Sequence, residues 1–217
     1  FGVSKIITAF IYSIFFLIYS RPNLIIGMGG YASFPICIAG FLLRIPIIIY
    51  ENNLIVGRAN KFLLPVVKKI MLSTKNTTGI NLKYKKKSFV CGYILNENIY
   101  NLDNPKKISH SHKEISLLIM GGSQSAKIFG EILPIEITKC FERGIKLNIY
   151  QQCLENQIDE IKKIYKKFNI QCELFTFSKD MIKYYRKSDL AITRSGASSL
   201  AELTNLRIPF IAIPLPS

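Results

Sequence analysis

Short apolar runs alternate with helical stretches along the whole chain. In the first half, residues 23–27 (NLIIG) and 45–50 (IPIIIY) are apolar runs, separated by a helical pattern at 34–43 (FPICIAGFLL). Continuous apolar runs are typical of parallel strands that helices cover on both faces. The order strand, loop, helix, strand therefore predicts a doubly wound parallel sheet.

The second half repeats this pattern. Apolar runs at 115–120, 145–150, 171–175 and 189–193 alternate with amphipathic stretches, and a polar segment separates the two halves. We therefore predict an α/β protein with two Rossmann-like domains. They are an N-terminal domain at 1–100 and a C-terminal domain at 115–217, joined by a linker at 101–114.

One stretch, residues 6–20 (IITAFIYSIFFLIYS), is almost uniformly apolar. It is too short for a membrane span, which needs about 20 residues. We expect a buried helix. The alternative is a helix that lies against a bilayer, with Lys5 and Arg21 at its ends.

Charge narrows the choice of partners. Lys and Arg number 29 against 14 acidic residues, a formal net charge of +15, which indicates anionic partners. The basic residues are dispersed and accompany no zinc finger or RNA-binding motif, so nucleic acid is not expected. His110 and His112 lie in the polar segment, where a solvated linker is favoured over a metal site. The five cysteines are far apart and fit reduced thiols of a cytosolic compartment.

Four polar or glycine-rich stretches follow predicted strands, at 27–30 (GMGG), 51–53 (ENN), 121–126 (GGSQSA) and 194–198 (RSGAS). Ligands of open parallel sheets bind at the carboxyl ends of strands, where these stretches fall. At 194–198 a strand turns into a helix, so free backbone N–H groups would suit a phosphate. The alternative is a serine hydroxyl that caps an ordinary helix.

The stretch GMGGYA at 27–32 also fits the dinucleotide fingerprint G-x-G-x-x-G/A. Glu51 ends the next strand, near where an acid would bind a ribose. An NAD(P)-binding oxidoreductase is therefore an alternative. It leaves the loops of the second half unexplained.

Four motifs in a fixed order resemble the MurG family, the peripheral membrane glycosyltransferases of bacterial peptidoglycan synthesis. They are GMGGYASFP, IPIIIYENN followed by GRANKFL, GGSQSA, and RSGASSLAEL followed by IPFIAIPLP. The resemblance implies the GT-B architecture, in which two Rossmann-like domains face each other across a cleft. It implies transfer of N-acetylglucosamine from UDP-N-acetylglucosamine to the undecaprenyl-diphosphate-linked muramoyl-pentapeptide, lipid I, at the cytoplasmic face of the membrane. It further implies an anionic membrane surface as a partner and no cofactor.

The resemblance also assigns residues of the donor site. Ser123 would donate to the diphosphate, and Glu202 would accept hydrogen bonds from both ribose hydroxyls, for which a carboxylate is a suitable acceptor. The backbone at Ser178 would hold uracil, and Asn53 would contact the sugar. Structural roles remain open as alternatives: a helix cap for Ser123, a surface acid for Glu202 and a turn residue for Asn53. The nucleotide would be lined by Ala197, Ser198, Ser199, Leu200, Ala201 and Glu202, and the phosphate-loop glycines would be Gly29, Gly30, Gly121 and Gly122.

The chemistry of the reaction is expected to need no bound metal. No D-x-D-like acid cluster is found at a loop, so backbone N–H groups and helix N-termini are the remaining means of stabilising the departing diphosphate. No residue clearly fills the role of catalytic base, for which Glu51 is the remaining candidate.

The sequence also departs from the family pattern. Tyr50 stands where the family has His, and Asn96 where it has an Arg near the donor. The family's first glycine-rich loop would precede Phe1, and its glutamine-bearing donor segment would follow Ser217. We therefore expect both domains to be partial and the chain alone to be inactive. A nucleotide-binding remnant without turnover is a third interpretation.

Overall fold

The structure is a computed structural model that describes residues 3–100 and 114–214. They form two compact units, Phe1–Ile94 and Leu95–Ser217. Each unit contains a parallel sheet with helices, so the predicted α/β class is confirmed. Most of the predicted linker, with His110 and His112, lies outside the described residues.

The first unit is built on a four-stranded parallel sheet in the order β1-β2-β3-β4. The strands are β1 (Ile25–Gly27), β2 (Ile47–Glu51), β3 (Lys69–Leu72) and β4 (Ser88–Val90). The helices are α1 (Val3–Ser20), α2 (Gly30–Leu42), α3 (Arg58–Leu63) and α4 (Leu82–Lys85).

The core of this unit lies between the sheet and helices α1 and α2. Ile47 and Ile49 from β2 are fully buried there together with Leu17 of α1. Helix α2 packs closely on the strands at Gly40, where a Cβ atom would overlap the side chain of Ile25. The absence of a side chain at this position therefore sets how near α2 can approach the sheet.

The expectation that α1 is a buried helix is wrong for most of its surface. One face packs in the core through Phe10, Ile14 and Leu17. The rest carries large exposed apolar side chains, among them Tyr12, Phe15, Phe16 and Tyr19, at 73%, 68%, 58% and 91% exposure. No helix in the described part of the chain combines the length and apolar character of a membrane span.

The second unit is built on a five-stranded parallel sheet in the order β7-β6-β5-β8-β9. The strands are β5 (Ile115–Met120), β6 (Leu147–Gln152), β7 (Gln171–Phe175), β8 (Leu190–Arg194) and β9 (Phe210–Ile213). The helices are α5 (Glu97–Tyr100), α6 (Gly122–Glu142), α7 (Ile158–Lys167), α8 (Ile182–Lys187) and α9 (Ala197–Asn205), with a 3₁₀ turn at Glu155–Gln157. The central strand β5 pairs with both β6 and β8, which makes its carboxyl end the topological switch point.

Two predicted glycine loops are shorter than the sequence suggested. Helix α2 begins at Gly30 and α6 at Gly122, although their sequences were expected to stay in loops until residues 34 and 127. Gly29, Gly30 and Gly122 have φ values of 82°, 75° and 64°. Because glycine tolerates this left-handed region, the chain turns from strand to helix almost at once.

A buried carboxylate organises the loop after β2. Glu51 is 3% exposed, and its Oε1 accepts hydrogen bonds from the backbone N–H and the Nδ2 of Asn53, at 3.1 and 2.9 Å. Its Oε2 accepts from the backbone N–H of Gly57 at 2.8 Å and from Asn60 Nδ2 at 3.0 Å. We call these four residues the Glu51 network. It ties the loop to the end of the sheet.

We expect Glu51→Gln to destabilise the first unit. The substitution places an amide NH2 against groups that already donate, so at least one buried donor loses its acceptor. The cost should be roughly 2 to 4 kcal/mol of unfolding free energy. The backbone amide of Gly57 should also exchange hydrogen faster, which mass spectrometry or NMR can measure together with urea unfolding.

The matched control is Glu136→Gln on α6, whose carboxylate is 54% exposed and pairs with Lys139. Surface substitutions of this kind change stability by less than about 0.5 kcal/mol. Equal stability and equal exchange at Gly57 in both variants would contradict a structural role for Glu51.

Candidate functional site

The carboxyl ends of β5, β6 and β8 bring together most predicted ligand residues of the second unit. Gly121 connects β5 to α6, a helix of 21 residues that begins at Gly122 and whose amino end lies at this edge. The backbone N–H of Gly122 donates to Gln152 Oε1 at 3.0 Å. Ser123 lies in the first turn of α6. The positive end of a helix dipole at this edge favours an anionic ligand.

Helix α9 begins next to this edge, after the turn at 195–196. Its N-cap is Gly196, and among the described side chains none makes the capping hydrogen bond. The structure therefore does not support the alternative in which a serine hydroxyl caps this helix. Ser198 is exposed, whereas Ala197, Ser199 and Leu200 are half-buried. Ala201 is buried together with Leu203 on the core-facing side of α9.

Glu202 is half-buried on α9 and is held by a tyrosine. Its Oε2 accepts a hydrogen bond from Tyr185 Oη at 2.6 Å. Tyr185 is 4% exposed, and both its burial and its bond to Glu202 raise its pKa above the ordinary tyrosine range. The described residues donate no hydrogen bond to Glu202 Oε1. One carboxylate oxygen is thus fixed by the protein, and the other keeps its acceptor capacity.

The loop after β7 carries the predicted uracil contact. Ser178 Oγ accepts from the backbone N–H of Asp180 at 3.2 Å and donates to the carbonyl oxygen of Asp180 at 3.0 Å. The hydroxyl is therefore engaged within its own turn.

Two further residues at this edge were missed by the sequence reasoning. Gln152 ends β6 and connects two loops, because its Nε2 also donates to the carbonyl oxygen of Thr176 at 3.2 Å. Arg194 ends β8 with its guanidinium over the ring of Phe129, at 5.9 Å, and its buried Nε has no hydrogen-bond partner among the described groups. The position of Arg194, directly before the turn, was visible in the sequence. The bonds of Gln152 were not, because they join residues 24 and 30 positions away.

The remaining predicted residues line a cavity of about 310 Å³ in the first unit. They are Gly29, Gly30, Glu51 and Asn53. Asn60 lines it as well, with Nδ2 held by Glu51 and by the carbonyl oxygen of Tyr50, at 3.0 and 3.1 Å. Its buried Oδ1 has no partner within the described part of the chain.

The geometry of Glu51 bears on two earlier interpretations. Four donors surround its two oxygens, which fits a structural role more closely than a role as catalytic base. The dinucleotide alternative requires Glu51 to bind a ribose diol, and these four bonds leave it poorly placed to do so.

Asn96, the departure from an expected Arg, accepts from the backbone N–H of Asn98 at 2.9 Å and so stabilises the start of α5. In the described segments, no three His, Cys, Asp or Glu side chains cluster as a metal site would require.

Comparison with known proteins gives a consistent result. Residues 2–72 match the glycosyltransferase family 28 N-terminal domain, and residues 116–217 match the family 28 C-terminal domain. A Pelagibacter ubique protein is 41% identical to this chain over 205 residues, which are 94% of this chain and 56% of the relative. It is named UDP-N-acetylglucosamine–N-acetylmuramyl-(pentapeptide) pyrophosphoryl-undecaprenol N-acetylglucosamine transferase. A Rickettsia bellii protein of the same name is 39% identical, over 90% of this chain and 56% of the relative. The chain thus spans a little over half the length of these relatives.

Solved structures agree with this assignment. MurG from Acinetobacter baumannii superposes with a TM-score of 0.70 at 27% identity, covering all of this chain and 60% of that one. A UDP-GlcNAc 2-epimerase from Neisseria meningitidis, bound to UDP-GlcNAc, has a TM-score of 0.67 at 15% identity, over 95% of this chain and 63% of that one, and shows a shared fold. The resemblance to MurG inferred from the four sequence motifs is confirmed, and the chain belongs to glycosyltransferase family 28.

Proposed function

We propose that this protein transfers N-acetylglucosamine from UDP-N-acetylglucosamine to lipid I, forming lipid II in peptidoglycan synthesis. The observation that carries the proposal is the position of Glu202. It offers an oriented carboxylate, an acceptor suited to a diol, on a helix whose uncapped amino end suits an anion. A diol acceptor beside an anion site fits a nucleoside diphosphate. The names of the relatives support the sugar and the acceptor.

The proposed reaction is an inverting displacement without a bound metal. As UDP leaves the anomeric carbon, negative charge grows on the diphosphate. The amino ends of α6 and α9 and the guanidinium of Arg194 would stabilise that charge. Ser123 would donate to the diphosphate, and Gly121 and Gly122 would let the main chain approach it.

The rest of the donor would be held by the residues assigned from the family motifs. The backbone at Ser178 would bind uracil, and residues 197–202 would line the nucleotide. In the first unit, Asn53 would contact the sugar, beside the loop that contains Gly29 and Gly30. Since the diphosphate would be neutralised by protein groups, no cofactor is required.

We expect Glu202→Ala to weaken binding of UDP by roughly 1 to 3 kcal/mol, because a charged hydrogen-bond acceptor for the ribose is lost. Binding of 2′,3′-dideoxy-UDP should change little. Calorimetry on both ligands measures the difference, and Glu136→Ala on the exposed face of α6 serves as the control. Equal affinity of wild type and Glu202→Ala for UDP would remove Glu202 from the site.

Transfer itself is tested with radiolabelled UDP-N-acetylglucosamine and a lipid I analogue. We expect turnover from a version of the chain extended at both ends by the corresponding segments of the Pelagibacter ubique relative. We expect the chain without these segments to bind nucleotide but not to turn over. A base placed near the acceptor hydroxyl is typically worth 10²- to 10⁴-fold in rate, and no described residue clearly supplies one.

The intact relative, assayed in parallel, is the positive control. If it transfers the sugar and the extended chain does not, the proposed reaction is wrong for this protein. Turnover by the unextended chain would contradict the expected inactivity.

We further propose that the protein attaches peripherally to the cytoplasmic face of the membrane through α1. Its exposed surface presents Tyr12, Phe15, Phe16 and Tyr19, which are the amphipathic and apolar side chains that interfaces favour. Lys5 lies in its first turn and Arg21 follows its last residue. A net charge of +15 adds attraction to anionic headgroups.

Vesicle sedimentation should show stronger binding to anionic than to neutral liposomes, by about 1 kcal/mol for each basic residue near the surface. The double variant Phe15→Ser/Phe16→Ser should lose binding to both kinds of vesicle. Phe62→Ser on α3, which removes another phenylalanine that is 73% exposed, is the control and should bind as wild type does. Equal binding of all variants to both vesicles would contradict attachment through α1.

A further inference from the structure

Tyr185 connects the core of the second unit to the candidate site. It lies on α8 in the buried cluster that also contains Leu118, Ala191 and Leu203. At 4% exposure its ring has little freedom to move. Its hydroxyl bonds Glu202 Oε2 across a separation of 17 residues in the sequence.

The hydroxyl of a buried tyrosine needs a partner, and here the partner is the carboxylate of Glu202. Burial raises the pKa of Tyr185, and the neighbouring carboxylate raises it further, so the hydroxyl keeps its proton at neutral pH. A protonated hydroxyl can donate to the carboxylate throughout the physiological range. Tyr185 is therefore the donor and Glu202 the acceptor, and burial of the ring fixes where the donor lies.

A glutamate on a helix surface normally samples several side-chain conformations, and a ligand that binds it must select one of them. Glu202 is already held in one conformation, because its Oε2 is bonded to Tyr185. Among the described residues nothing donates to Oε1, so it keeps both of its acceptor positions, and Oε2 keeps one. When packing and a supporting hydrogen bond already hold a side chain in place, a ligand that binds it loses less side-chain entropy.

We propose that Tyr185 is a positioning residue, whose bond to Glu202 orients the carboxylate toward a ribose diol and so makes the site select ribonucleotides over deoxyribonucleotides. This inference rests on the proposed nucleotide-binding function. Because Tyr185 is buried, it would act on a ligand through Glu202 and not by direct contact. Its effect is transmitted through one hydrogen bond, which a single substitution can remove.

The test is Tyr185→Phe, which keeps the ring and removes the hydroxyl. We expect UDP affinity, measured by calorimetry on the full chain, to fall roughly threefold to tenfold. Affinity for 2′,3′-dideoxy-UDP should stay unchanged, because that ligand has no diol to orient. In a Glu202→Ala background the Tyr185→Phe substitution should have no further effect on either ligand, as a double-mutant cycle requires.

Tyr184→Phe is the matched control. Tyr184 neighbours Tyr185 on α8, is 2% exposed and donates to a different carboxylate, Glu173, at 3.0 Å. Its removal should leave both affinities unchanged. If Tyr185→Phe weakens UDP and the dideoxy ligand equally, the tyrosine acts only on the fold and the inference is overturned.

The outcomes separate this inference from the proposed function. An absence of UDP binding by the wild-type chain would overturn both. Binding that depends on Glu202 but not on Tyr185 would overturn the inference alone.

Discussion

The direction of the strands is the constraint on which the candidate sites depend. Both sheets are parallel, so within each sheet every strand ends at the same edge and the chain must leave there. After β1, β5 and β8, only one or two residues separate the strand from the next helix. Such short turns need glycine, and they bring the first helical turns directly to the sheet edge. Backbone N–H groups thereby contribute positive potential at these edges.

Two glutamates differ in how many hydrogen-bond donors the protein supplies to their carboxylates. Glu51 is surrounded by four donors, which consume its acceptor capacity and fix a loop. Glu202 accepts from one tyrosine, and no described residue donates to its other oxygen. The first carboxylate can only stabilise the fold, whereas the second could also accept a hydrogen bond from a ligand. The number of donors that the protein supplies decides between these roles.

Much of the fold follows from local sequence pattern. The apolar runs at 115–120 and 171–175 coincide with β5 and β7. The exposure of α1 could not be predicted in the same way, because a helix that is apolar all round has no periodicity to reveal which face packs. The helix starts at Gly30 and Gly122 were also missed, since the polar residues after each glycine resemble a loop. At the candidate site, the partnership of Tyr185 with Glu202 depends on packing between distant segments, and local pattern carries no information about it.

The Glu51 network also sets how this part of the chain can diverge during evolution. Asn53 is exposed and supplies two of the four donors, one of them from the backbone, so its side chain can change while its N–H remains in place. Asn60 is buried and donates to both Glu51 and the carbonyl oxygen of Tyr50, so its replacement affects two acceptors at once. Glutamine is not a conservative replacement for Glu51, since its amide would turn an acceptor into a donor. Substitution rates should therefore be lowest at Glu51 and Asn60 and higher at Asn53, unless a ligand constrains that side chain.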